Sequence, residues 1–221
     1  MKGICFIEPL HDKTVKKIKV QTRRIMAEQP DDSGLHNHTL FPMSIDSDMT
    51  GFWGTVAETG ESKEFKPRYK VGDVLYLKEP YKKWTRGLSE GRHTSILYKY
   101  GEDTPCDKVG TEGSSYYTDW KNKLFMPAYA ARHYIKITSV RAERLQDISN
   151  EDCIKEGIEE ERNWSNGTEW FTYCNGTHSF DTPREAYKAL INSIDGKDTW
   201  NNNPWVWVYD YELIDRKEVQ L

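Results

Sequence analysis

Residues 203–214 read NPWVWVYDYELI, and their strict alternation points to a strand. Side chains on a strand face opposite sides at every second residue, so Trp205, Trp207, Tyr209 and Tyr211 share one side. A strand bearing four large rings needs partner strands to bury them, and the rest of the chain supplies candidates. GICFI (3–7), VQTRRI (20–25), SILYKY (95–100) and HYIKITSVRAERL (133–145) are short β-prone runs. In RYKVGDVLYLKE (68–79), Gly72-Asp73 supplies turn chemistry, after which Val74 and Tyr76 face one way and Leu75 and Leu77 the other.

Helical signals are fewer. PLHDKTVKKI (9–18) has an early proline and an aspartate able to cap a helix. DISNED (147–152) reads as the start of a second helix, with Ser149 capping, Ile154 and Ile158 one turn apart, and Gly157 near its end. TPREAYKALINSI (182–194) is amphipathic: Thr182 caps it, Pro183 starts it, and Ala186, Leu190 and Ile194 fall on one face. Between these elements lie long polar stretches, at about 27–66, 85–120 and 159–180. The first is acidic, carrying eight carboxylates over 27–64 against the single Lys63, with room for a short hairpin around FWGTV. Five or more strands with few helices predict an α+β chain, a small β-barrel decorated with helices and long loop insertions. At 221 residues the chain is expected to be a single domain carrying those insertions.

Aromatic residues make up 13% of the chain, including 8 Trp and 13 Tyr, which is enough for a core despite a mean hydropathy of -0.82. A formal net charge of -4 argues against a protein that coats nucleic acid non-specifically, since that binding neutralises many phosphates; a local basic pocket stays open. The opening MKGICFIEPLHDK lacks the apolar run of a signal peptide, and nothing approaches the roughly 20 apolar residues that cross a bilayer. The expectation is a cytoplasmic protein with no membrane partner, and the sequons at Asn37, Asn163, Asn166 and Asn175 carry no weight in that setting. Cys5, Cys106, Cys153 and Cys174 are widely spaced and form no C-x-x-C pair, which disfavours a disulfide framework or a zinc site. His36 and His38 would need a third ligand from far away, so no metal and no cofactor is expected.

The densest chemistry lies over residues 13–24, with six positive charges and no acid: Lys13, Lys16, Lys17, Lys19, Arg23 and Arg24. A solvated helix face accounts for such a run equally well. If VQTRR is extended, however, Thr22 and Arg24 point to one side, and Lys19 can reach over it. A hydroxyl beside an ammonium and a guanidinium makes an anion or oxyanion site, and a desolvated lysine can activate the threonine.

These residues also carry a family likeness. The run I4-C-F, twelve residues, then K19-x-x-T-R-R24 resembles the N-terminal signature of the ASCH superfamily, especially its phage and prophage members. Four further blocks resemble the same group in the same order: G72-D-V-L-Y-L-K-E79, M126-P-A-Y-A-A-R132, V140 to G157 (VRAERLQDISNEDCIKEG), and N203-P-W-V-W-V-Y209. The resemblance implies a PUA-like barrel with a cleft lined by the K-x-x-T-R element, and a nucleoside or RNA ligand. Relatives include an amidohydrolase that removes the acetyl group of N4-acetylcytidine through a Lys, a Thr three residues on, and a later Glu, and members that cut RNA. Lys19 and Thr22 match the first two, and Glu156 is the match for the third.

On that likeness Thr22 attacks the amide carbonyl, Lys19 takes its proton, and Glu156 protonates the leaving amine or positions water. Arg24 holds the developing oxyanion, and Arg23, Glu79 and Arg132 complete the expected ligand contacts. Each has a plainer reading: Glu79 pairing with Arg23, Arg132 capping a helix, Trp205 and Trp207 packing the core rather than stacking a base, and Cys153 simply buried. Two alternatives to the amidohydrolase stay open, a non-catalytic RNA or modified-base binding module and a ribonuclease. The second is disfavoured because no pair of histidines accompanies the basic run.

Overall fold

The structure is a computed structural model that describes residues 1–30, 52–55, 62–88, 91–100, 115–165, 167–173 and 178–219. Most of the acidic stretch lies outside the described residues, as do the His36–His38 pair, Cys106, Cys174, Asn37, Asn166 and Asn175.

The strands are β1 (Lys2–Cys5), β2 (Gln21–Ile25), β3 (Phe52–Thr55), β4 (Ser62–Phe65), β5 (Val74–Lys78), β6 (Tyr81–Leu88), β7 (Gly91–Tyr98), β8 (Ser115–Tyr117), β9 (Tyr134–Arg144), β10 (Glu159–Arg162), β11 (Glu169–Thr172) and β12 (Trp205–Ile214). The helices are α1 (Glu8–Val15), α2 (Asn150–Lys155), α3 (Pro183–Asp195) and α4 (Thr199–Asn202). The chain is thus mixed α+β. Its largest sheet is five-stranded and mixed, in the order β1-β5-β9-β12-β2, with β1 parallel to β5 and β2 antiparallel to β12. The order begins and ends on different strands, and no closed barrel is found among the described residues.

The chain divides into two compact units. Unit 1 comprises Met1–Lys16, Val74–Ile135 and Leu213–Leu221. Unit 2 comprises Lys17–Asp73 and Lys136–Glu212.

In unit 1, β1 runs beside β5 with Gly3 opposite Tyr76. A Cβ on Gly3 would stand 2.6 Å from the Tyr76 ring, so only glycine allows this register without displacing the tyrosine. The core gathers Tyr76, Tyr81, Met126, Ala130, Ala131, Tyr134 and Val219, with Ile214 packed against it. Its tyrosines are amphipathic, and their hydroxyls donate to carbonyls that burial would otherwise strand: Tyr76 to Met126 (3.0 Å) and Tyr134 to Ala131 (3.1 Å).

In unit 2, Thr22 lies opposite Tyr209 and Arg24 opposite Trp207. Strand β12 is buried on both faces, Val206 and Val208 on one and Trp207, Tyr209 and Tyr211 on the other. Helix α3 starts where expected, the Thr182 hydroxyl accepting from the Glu185 N–H and Pro183 filling the first turn. It buries Pro183, Ala186, Tyr187, Leu190 and Ile191, whereas Ile194, in its last turn, is exposed. The hairpin expected around FWGTV forms from β3 and β4, Trp53 opposite Glu64. The stretch 159–180, expected as a loop, instead holds the β10–β11 hairpin. Glu159 lies opposite Thr172 and Arg162 opposite Glu169, and Phe171 bridges to Phe180.

Candidate functional site

The site is built on the end of a helix. Ser149 caps α2 by accepting from the Asp152 N–H at 3.1 Å. At the other end Gly157 adopts a φ of 98°, the Ile158 N–H donates to the Cys153 carbonyl (3.2 Å) and the Gly157 N–H to the Ile154 carbonyl (2.8 Å). This is a Schellman closure, and it leaves the carbonyls of Lys155 and Glu156 without partners in the helix. The segment before β2 supplies them: the Val20 N–H donates to Lys155 (2.9 Å), and the Lys19 ammonium donates to Glu156 (2.9 Å). A cation at the negative end of a helix is favoured electrostatically as well.

Lys19 is 1% exposed and has two further acceptors, the Glu156 carboxylate at 2.5 Å and the Gln21 carbonyl at 2.7 Å. Three acceptors around one nitrogen match the three N–H bonds of an ammonium. Burial pulls the Lys19 pKa below its ordinary value, and Glu156 opposes that pull. Two residues 137 positions apart in the sequence are therefore joined by a short, dry ion pair.

Arg23 completes the centre. Its side chain lies with Gln21 on one face of β2, donating to the Gln21 side chain (2.5 Å), Glu156 (3.3 Å), Glu143 (3.0 Å) and Asp152 (3.0 Å). Burial depresses the guanidinium pKa, but Glu156, Asp152 and Glu143 outweigh it, so the net shift is upward and Arg23 stays charged. Its Nε is buried with no partner among the described residues. Around this core runs a second ring of charge. Arg141 bonds Glu143, Asp152 (2.6 Å) and Asp210 (2.7 Å), and Gln21 donates to Asp210 at 2.6 Å. Burial works to raise the Asp152 pKa, yet hydrogen bonds from Lys155 and Arg23 bring it below its ordinary value.

Of the residues expected at the site, Lys19, Arg23 and Glu156 meet. Thr22 falls between Gln21 and Arg23, and strand alternation puts it on the face shared with Arg24, Trp207 and Tyr209. No hydrogen bond joins its hydroxyl to Lys19 or Glu156 among the described residues. On that second face the Tyr209 hydroxyl accepts from the Arg68 N–H at 3.2 Å, its ring meets Tyr69 edge-on, and burial pushes its pKa up to about 12. Trp205 carries the Arg144 guanidinium 4.9 Å above its ring. Cys153 is wholly buried, and burial lifts its thiol to about 12, which leaves it unreactive.

Glu79 and Arg132 belong to unit 1, where they pair with each other rather than with Arg23. The Arg132 Nε and Nη2 reach the two carboxylate oxygens of Glu79 at 2.9 Å each. The guanidinium also donates to the Tyr100 carbonyl and lies 4.4 Å from the Tyr98 ring centre. Burial raises the Glu79 pKa against the opposing Arg132.

The sequence reading passed over Gln21, Arg141, Glu143, Asp152 and Asp210. A signal was present for all of them but Asp210. Gln21 with Arg23, and Arg141 with Glu143, are polar pairs two apart on strands, and Asp152 with Glu156 are carboxylates four apart on a helix, so each pair shares one face. No group of His, Cys, Asp and Glu suited to a metal ion occurs among the described residues. No helix there is long and apolar enough to cross a membrane. Comparison with known proteins finds no matching family model, no matching curated protein and no matching solved structure.

Proposed function

We propose that this chain is an ASCH-type protein of PUA-like fold that hydrolyses the exocyclic amide of an N4-acylated cytidine or a similar nucleoside. The observation that carries the reading is the 2.5 Å bond between Lys19 and Glu156, the two residues matched to the Lys and Glu of the amidohydrolase set. Burial draws Lys19 toward the neutral form that a base needs, and Glu156 opposes that pull. A lone lysine needs a pKa far below roughly 10.4 to be neutral at pH 7. On this reading a neutral Lys19 accepts the Thr22 proton and Glu156 protonates the leaving amine, which requires Thr22, on the other face of β2 from Arg23, to turn its hydroxyl toward Lys19. Thr22 Oγ forms a bond to the acyl carbon as the C–N bond breaks, cytidine leaves with the Glu156 proton, and water cleaves the acyl ester to release acetate. On this reading Arg24, which shares the Thr22 face, holds the oxyanion.

A second reading has its own observation. All three N–H bonds of Lys19 already have acceptors, which suits a fixed ammonium that organises a binding face. On this reading the protein recognises a modified base or RNA and transforms nothing. Incubation with N4-acetylcytidine, with acetate and cytidine quantified, separates the two. The enzyme reading expects wild-type turnover that Thr22→Ala abolishes while nucleoside binding persists, and that Lys19→Ala and Glu156→Ala also lose. Wild-type binding without turnover selects the binding module, and absence of both sinks both readings.

A further inference from the structure

Unit 1 carries a second concentration of chemistry, and it lies on the surface. Residues 118–135 hold one acid, Asp119, against Lys121, Lys123 and Arg132. Strands β5 and β6 add Lys78, Lys82 and Lys83, and the acid between them, Glu79, is buried against Arg132. The same stretch exposes four large apolar side chains: Trp120 (42%), Leu124 (59%), Phe125 (76%) and Tyr129 (61%).

The backbone beneath these groups is anchored. Lys121 and Tyr81 exchange backbone hydrogen bonds at 2.8 and 3.3 Å, and the Thr118 N–H donates to Lys83 at 2.9 Å, so 118–121 lies along β6. Two single 3₁₀ turns follow, Lys123–Phe125 and Ala128–Ala130. They turn Met126, Ala130 and Ala131 inward and Phe125 and Tyr129 outward. Side chains hold the turns in place, Lys78 donating to the Leu124 carbonyl (2.9 Å) and Tyr98 to that of Ala130 (2.7 Å). Cations stand over the rings: the Lys82 ammonium is 4.8 Å from the centre of Trp120, and that of Lys83 is 5.7 Å from Tyr129.

We propose that this face of unit 1 binds an unpaired polynucleotide strand, its bases stacking on the exposed rings and its phosphates meeting the lysines. Flat apolar faces interleaved with positive charge are what such a strand requires, since each nucleotide offers one planar base and one negative charge. A duplex hides its base faces, and an acidic protein segment supplies the charge without the planes. A rigid platform also lowers the ordering cost of binding. The inference stands on unit 1 alone, so it survives or fails independently of the chemistry assigned to Lys19 and Glu156.

The test is fluorescence anisotropy of a short labelled oligouridylate with the full chain, competed by duplex RNA of the same length and by polyglutamate. Phe125→Ala and Tyr129→Ala are each expected to weaken binding about tenfold, and Phe125→Trp to preserve it. With about four phosphates neutralised, a fourfold rise in salt should cost roughly 50-fold in affinity, and Lys82→Glu with Lys83→Glu should flatten that dependence. Circular dichroism checks that these surface variants keep the fold. The proposal is overturned by an oligouridylate that does not bind at low salt, by unchanged affinity in both alanine variants, or by a duplex or polyglutamate that competes as well as the single strand.

Discussion

The Lys19–Glu156 pair presents an asymmetry that single substitutions expose. Lys19→Met removes the cation and leaves the Glu156 carboxylate buried beside Arg23 alone, together with two backbone carbonyls, of Gln21 and Glu156, that have lost the ammonium donor. Stranding one half of a buried pair costs about 3–5 kcal/mol. Replacing both halves, as in Lys19→Met with Glu156→Leu, removes the stranded charge and should recover much of that loss. Urea unfolding of the two single variants and the double variant measures the coupling; equal losses in the single and double variants would refute a mutually dependent pair. At this scale the sequence was informative in one direction only. The basic run announced Lys19 and Arg23, but the acids that answer them lie 120 to 137 residues away in the chain. Only the family likeness nominated Glu156. The shared faces of Arg141 with Glu143 and of Asp152 with Glu156 are local, but which cation each acid meets is decided across the chain and has no local period.

Secondary-structure elements, by contrast, were legible wherever local chemistry governs them. The caps at Ser149 and Thr182 and the strand at 205–214 follow from hydrogen-bonding side chains and alternation that the sequence displays directly. The β10–β11 hairpin was not legible, because Glu159–Arg162 is uniformly charged and offers no alternation to read. The most consequential element end is the close of α2. With its φ of 98°, Gly157 lies where a side chain is disfavoured by about 1–2 kcal/mol, and its turn holds the Glu156 carbonyl toward Lys19. Gly157→Ala should therefore lower stability by about that amount. It should also reduce any amidohydrolase activity more than Gly167→Ala, a change at another, exposed positive-φ glycine. Comparing urea midpoints with turnover for the two variants checks this. Equal effects on both properties would mean that the α2 closure does nothing beyond stabilising the helix.

For the molecule as a whole, stability in mild acid turns on one histidine of unit 1. His11 is buried, with its Nε2 lacking a partner among the described residues, edge-on to Tyr100 at 5.2 Å and to His133 at 5.9 Å. Burial lowers its pKa to about 3, aided by His133, Arg132 and Lys123 and opposed only by Asp12. The folded chain therefore keeps His11 neutral while the unfolded chain protonates it near its ordinary value of 6.5. Stability from this source is complete above that value and falls as the pH drops toward 3, because the unfolded state binds the extra proton. Between about pH 6.5 and 4.5, before most carboxylates titrate, the loss amounts to roughly 2 kcal/mol. His11→Phe keeps an aromatic ring against Tyr100 but cannot titrate, so its urea midpoint should vary less over that window, the histidines that do not touch His11 contributing equally to both proteins. Parallel pH profiles for wild type and variant would show that His11 carries no such linkage and that acid sensitivity arises elsewhere in the chain.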